Sequence, residues 1–184
     1  MARWFSLTVV AAVLLSGLVV AATFVQAANG PIMGAALPGE SAARLQVPSA
    51  AQAPMTEDEK MARLLVEQIN AERAAHGLAA YQFDATAAAA AAAHSADQAA
   101  KRTMSHGGSD GSNAGQRLTR IGVTWGSWAE NVGAGFNEPA TLLQAWLGSP
   151  PHRPVVLSST FTRIGAGVAA TTDGTRYWTM VAVG

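Results

Sequence analysis

The chain has 184 residues with 12 basic and 12 acidic side chains, so its formal net charge is zero. That balance, with no basic run, argues against nucleic acid as the main partner. The absence of cysteine excludes disulfides, thiolate zinc sites and cysteine nucleophiles.

The amino terminus carries Arg3 and then no charge before Glu40. An apolar run of about 20 residues follows Arg3. It leads to "VQA" at 25–27, which has the small residues of a cleavage site, so residues 1–27 read as a secretory signal peptide. The run is also long enough to serve as an uncleaved membrane anchor. Either reading puts the rest of the chain outside the cytoplasmic membrane, and any membrane contact would run through this segment. Residues 28–55 are rich in Ala, Pro, Gly and Ser with no steady period, and read as a flexible tether. A folded domain is expected over residues 56–184.

"TEDE" at 56–59 predicts a capping box, followed by a helix whose apolar face carries Met61, Leu65 and Ile69 and which stops at Gly77. A short extended link, "LAAYQF", leads to Asp84, the expected N-cap of an alanine-rich second helix. Its alanines permit close backbone approach. "MSHGGSDGSN" reads as loop, and "NAGQRLTRI" as a short third helix ended by Gly122. "VTWGSWAENVGAG" has the residues of an irregular strand. Asn137 is the expected cap of a fourth helix with Pro139 in its first turn, ended by "SPPHRP". "RIGAGVAAT" and "RYWTMVAV" predict two strands joined around Asp173-Gly174. The order points to an α+β or layered αβα domain with a small, largely antiparallel sheet.

Glu130 is the one acid between Asp110 and Glu138, in an apolar stretch where a lone carboxylate is costly to bury. Of the four histidines, His76 reads as a surface residue at a helix end, and His94 as a packed, hydrogen-bonded helix residue. His106 and His152 lie in loops bounded by Gly or Pro, where functional side chains are often presented. No HExxH, GxSxG or P-loop is present. Trp125, Trp128, Trp146 and Trp178 suit either a groove or the core.

The ordered set "INAERAAHGL", "AHSADQAA", "MSHGGSDGS", "AENV", "AWLGSPPHR" and "FTRIGAGVA…YWTMV" resembles the CAP superfamily of cysteine-rich secretory proteins, venom antigens and plant pathogenesis-related proteins. The cysteine-free bacterial branch of that superfamily is the nearer likeness. The resemblance implies an αβα sandwich with a central cleft of two histidines and two acids, which in several members holds zinc or another divalent metal. By motif the site residues are His106, Glu130 and His152. The second acid falls at Ser149, so the tetrad is incomplete. Pro151, Val155 and Met180 also depart from the pattern and imply a stiffer, more apolar rim around His152.

Two imidazoles and a carboxylate can hold a divalent metal, zinc above all, and leave a position open. Metal binding should weaken below about pH 6.5 as the histidines protonate. Without metal, Glu130 can pair with a protonated His106 or His152. The expected function is a secreted or surface-tethered, monomeric, non-catalytic binding module for a small apolar ligand, lipid or cell-envelope component. The alternatives are a metal-dependent extracellular hydrolase of cell-wall or peptide substrates, and a structural surface protein without a working cleft.

Overall fold

The computed structural model of the chain describes residues 54–184. The signal-peptide or anchor reading of 1–27 and all but the last two residues of the tether read over 28–55 lie outside the described residues. The elements are α1 (Glu57–Ala75), β1 (Gln82–Phe83), α2 (Ala85–Lys101), α3 (Ala114–Arg120), β2 (Trp128–Ala134), α4 (Pro139–Leu147), α5 (Arg153–Val156), β3 (Arg163–Ala170) and β4 (Arg176–Val183). No helix among the described residues is long and apolar enough to cross a membrane.

Local signals set most boundaries. Thr56 Oγ1 accepts from the Glu59 amide at 3.2 Å while Glu59 returns a carboxylate to the Thr56 amide at 2.7 Å, which satisfies two donors at the start of α1. Asp84 caps α2 through the amides of Thr86 and Ala87. Asn113 and Gln116 form a second capping box on α3. Two expectations are corrected. The N-cap of α4 is Glu138 rather than Asn137, because Pro139 occupies the first helical position, where its missing N–H costs nothing. The "SPPHRP" stop is brief: Pro154 suits a first turn, and the chain re-enters a helix, α5, directly after His152.

The sheet order is β1-β3-β4-β2. β4 pairs antiparallel with both β3 and β2, and the two-residue β1 pairs parallel with β3. Strand alternation divides the molecule into layers. Ile164, Ala166 and Val168 of β3 with Trp178 and Met180 of β4 face α1 and α4, where Leu65, Ile69, Leu142 and Trp146 complete one core. Val181 and Val183 face α2 and α3 and meet Ala87, Ala90, Ala91 and Leu118. The result is an αβα sandwich, as the sequence implied.

The alanines of α2 do what their size permits. A Cβ on Gly165 would collide with the backbone of Ala87 and Ala88, and one on Gly167 with that of Ala91 and Ala92. The helix therefore lies almost on the β3 backbone. Ser95 and Gln98 share this contact by bonding Thr179 Oγ1, each at 3.0 Å, so these buried polar groups are satisfied.

Candidate functional site

β2 is one of the two outer strands of the sheet, and the candidate residues gather around it. Successive side chains on a strand point to opposite faces, so Glu130 and Asn131 serve different layers. Glu130 lies on the α2–α3 side and Asn131 on the α4–α5 side. The loop before α3 brings His106 from one side, and the turn before α5 brings His152 from the other.

His106 is positioned from behind. On α2, His94 Nε2 bonds the Ser105 carbonyl at 2.8 Å, and Gln98 Oε1 accepts from the Ser105 amide at 3.1 Å. His94 is thus the packed, hydrogen-bonded residue that its helix position implied. The His106 ring then meets Glu130, with Nδ1 3.0 Å from Oε1. The imidazole is 60% exposed, whereas the Glu130 side chain is 2% exposed. A carboxylate so buried needs cationic or hydrogen-bonding partners.

The second partner is Arg117, which the sequence reading passed over. Its Nη2 donates to Glu130 Oε2 at 2.6 Å, and its side chain is 11% exposed. The same guanidinium donates from Nη1 and Nη2 to the His106 carbonyl, each at 3.2 Å, and from Nη1 to the Ser112 carbonyl at 2.8 Å. Arg117 stands out in no motif. The usable signal was the lone buried acid, which calls for a cation on the neighbouring helix.

His152 is held by its backbone and its ring. Asn131 Nδ2 donates to the His152 carbonyl at 3.0 Å. His152 Nδ1 lies 2.7 Å from Ser149 Oγ. The serine at the position of the family's second acid therefore supplies a polar partner, although not a charge. The imidazole is pushed below its usual pKa, first by burial and second by the neighbouring His106.

The turn that carries His152 is clamped to α1. Arg73 is buried and donates to the carbonyls of Val156 at 2.9 Å and Ser158 at 2.7 Å. It stacks on Tyr81, whose hydroxyl donates to Val155 O at 2.9 Å. Burial raises the Tyr81 pKa, partly offset by Arg73, so the phenol stays protonated as a donor.

The tryptophans divide between core and rim. Trp146 and Trp178 are buried, and their indole N–H groups bond Val132 O and Phe136 O. Trp128 is half-buried against Gly115, and Trp125 meets it edge-on. His76 lies at the exposed end of α1, with Nε2 3.4 Å from the guanidinium of Arg153, the residue that follows His152.

Among the described residues no three His, Asp or Glu side chains are grouped to hold a metal ion. The pair of imidazoles still has the chemistry of a metal site. The Glu130 carboxylate only accepts, so it favours the His106 tautomer with the lone pair on Nε2, whereas the Ser149 hydroxyl serves either tautomer of His152; outer oxygen partners of this kind are usual for metal-binding histidines. Both oxygens of Glu130 are already bonded.

A family model for the cysteine-rich secretory protein family, CAP, matches residues 66–182. The uncharacterized protein YkwD of Bacillus subtilis is 30% identical over 120 residues, 65% of this chain and 46% of that protein. The uncharacterized membrane protein YlbC of the same organism is 29% identical over 104 residues, 56% of this chain and 30% of that protein. The chain thus spans less than half the length of these relatives. Among solved structures, an outer surface protein from Borrelia burgdorferi superposes with a TM-score of 0.65 at 21% identity, covering 70% of this chain and 95% of that one. An extracellular SCP-domain protein from Bacillus anthracis superposes with a TM-score of 0.62 at 27% identity, covering 71% of this chain and 44% of that one. Motifs, layers and matched length agree: the chain belongs to the cysteine-rich secretory protein (CAP) family.

Proposed function

We propose that this chain is an extracellular or surface-tethered binding module whose His106–His152 cleft takes a divalent cation, zinc above all. The observation that carries this reading is the paired restraint of the two rings: Nδ1 of His106 on Glu130 and Nδ1 of His152 on Ser149. That leaves the Nε2 lone pair of His106 for a ligand, and that of His152 when Ser149 accepts from its Nδ1. Glu130 then acts behind His106 rather than as a third ligand, because Arg117 and His106 already occupy its oxygens. A bound cation would supply Lewis acidity and an open coordination position. The export reading of residues 1–27 and the extracellular or outer-surface names of two structural relatives support the location.

Binding is favoured over hydrolysis by the state of Glu130. A carboxylate held by a guanidinium at 2.6 Å is a poor general base, and Ser149 stands where a second acid would be. A separate groove of about 360 Å³ runs between α1 and α2 over β3, where Ala62, Phe83, Ala88, Ala92 and Val168 form an apolar floor beside Asp58, Glu59 and Arg63, which suits an amphipathic ligand.

Metal content and thermal unfolding of the full chain test the cation reading. Zinc at about a hundred times Kd should add about 2.7 kcal/mol of stability. The gain should vanish with chelator and in the His106→Ala, His152→Ala double variant. An equal gain in that variant overturns the reading.

A further inference from the structure

We propose that Arg117 is the positioning residue of the histidine site, and that it sets both the orientation of His106 and the donor set a cation would meet. The proposal rests on the two-histidine reading above and deepens it. One guanidinium reaches both ends of the same residue. It bonds the His106 carbonyl directly, and it holds the ring indirectly through Glu130, whose other oxygen meets Nδ1.

The need for such a clamp lies in the loop. "SHGGSDGS" contains three glycines, and Gly111 has φ +79°. A segment of this kind has a large conformational entropy to lose. α2 holds the loop on either side of His106, at Ser105 and again at Ser109, whose amide donates to Asp97 Oδ2 at 2.7 Å, but it makes no hydrogen bond to residue 106. Residue 106 itself is held by Arg117 and Glu130. Arg117 is well placed to do so because α3 is a fixed element. A capping box starts it, Leu118 is fully buried, and Gly115 allows Trp128 to close against the helix. Lysine could match the charge but not the fork that spans a carboxylate and two carbonyls.

The consequence for ligand chemistry follows from the same bonds. With Oε2 on Arg117 and Oε1 on His106, Glu130 orients an imidazole and does not enter the coordination shell. The site offers two neutral nitrogens and several open positions, which suits reversible binding. Loss of Arg117 frees the His106 ring and releases one carboxylate oxygen toward the cleft.

The test is nitrogen NMR of the histidine rings in the metal-free full chain at pH 7.5, followed by X-ray absorption of the zinc-loaded protein. In the wild type the two nitrogen shifts of His106 should be well separated, as expected of a single tautomer with the proton on Nδ1. In Arg117→Gln they should collapse toward a common value, while those of His94 stay fixed, which separates a local clamp from general loosening. Arg117→Lys should fall between. Zinc in the wild type should show two imidazole nitrogens and no carboxylate, and a carboxylate oxygen should appear in Arg117→Gln. Wild-type His106 shifts in both variants, or averaged shifts in the wild type itself, overturn the proposal. If Arg117→Gln does not fold, Arg117→Lys decides by the same ring shifts. A locked His106 ring with no zinc bound would sink the cation reading and leave the positioning role standing.

Discussion

Glu130 and Asn131 are neighbours in the chain and hold the His106 and His152 loops from opposite faces of β2. Glu130 takes the His106 ring at 3.0 Å, and Asn131 takes the His152 carbonyl at 3.0 Å. A two-residue motif can therefore organise two loops that lie on different layers, provided its strand is at the edge of the sheet. β2 meets that condition.

Replacing Asn131 removes the buried donor to His152. Asn131→Ala should cost about 1–3 kcal/mol and loosen the turn before α5 more than the α2–α3 side. Urea unfolding reads the first effect, and hydrogen exchange at residues 152–158 reads the second.

The His152 titration has a defined sign. Its folded pKa lies below 6.5, from burial first and His106 second. The contribution to stability is fully present above about pH 6.5. It is lost as pH falls through that value toward the folded pKa, because the unfolded chain binds the proton more readily. His106→Gln removes the second cause, so the His152 midpoint should rise. NMR titration of the metal-free protein checks this. An unchanged midpoint would separate the two rings electrostatically.

Gly167 is where α2 lies against β3. Gly167→Ala places a methyl group into the Ala91–Ala92 backbone, and should destabilise by about 1–3 kcal/mol or more. Gly174 is a useful contrast. It sits in the β3–β4 turn with φ +85° and open space around its Cβ position. The cost of Gly174→Ala should therefore come from backbone strain alone.

Arg73 is a buried cation satisfied by carbonyls and the Tyr81 ring. Arg73→Met should cost at least about 2 kcal/mol, since it leaves several carbonyls unpaired. Arg73→Lys should recover little of it, because the planar fork is lost. Chemical unfolding of the two variants is the measurement.

Much of this layout was legible in the sequence, for local reasons. Thr56 and Asp84 announced their caps because capping depends on the next few residues. The layered fold followed from the family resemblance that six ordered motifs carry; the same resemblance pointed to His106, Glu130 and His152, of which the structure pairs Glu130 with His106. The start of α4 was misjudged by one residue, since Pro139 outweighed the side-chain preference of Asn137. α5 was hidden because Pro150, Pro151 and Pro154 look like a stop, although Pro154 also suits a first turn. Arg117 was missed for a different reason. Its partner is 13 residues away on another element, and no periodicity links a helix residue to the edge strand beneath it. The roles of Arg73 and Ser149 were hidden in the same way, by contacts that exist only after folding.

Zinc calorimetry on the metal-free full chain at pH 7.5 tests the central claim most directly. The two-histidine account predicts one ion per chain, and its loss in His106→Ala and in His152→Ala taken singly. It also predicts retained but weaker binding in Glu130→Gln, by about 10–100-fold, as for an outer partner of a ligand. Binding that survives either histidine substitution, or that Glu130→Gln abolishes outright, would contradict it.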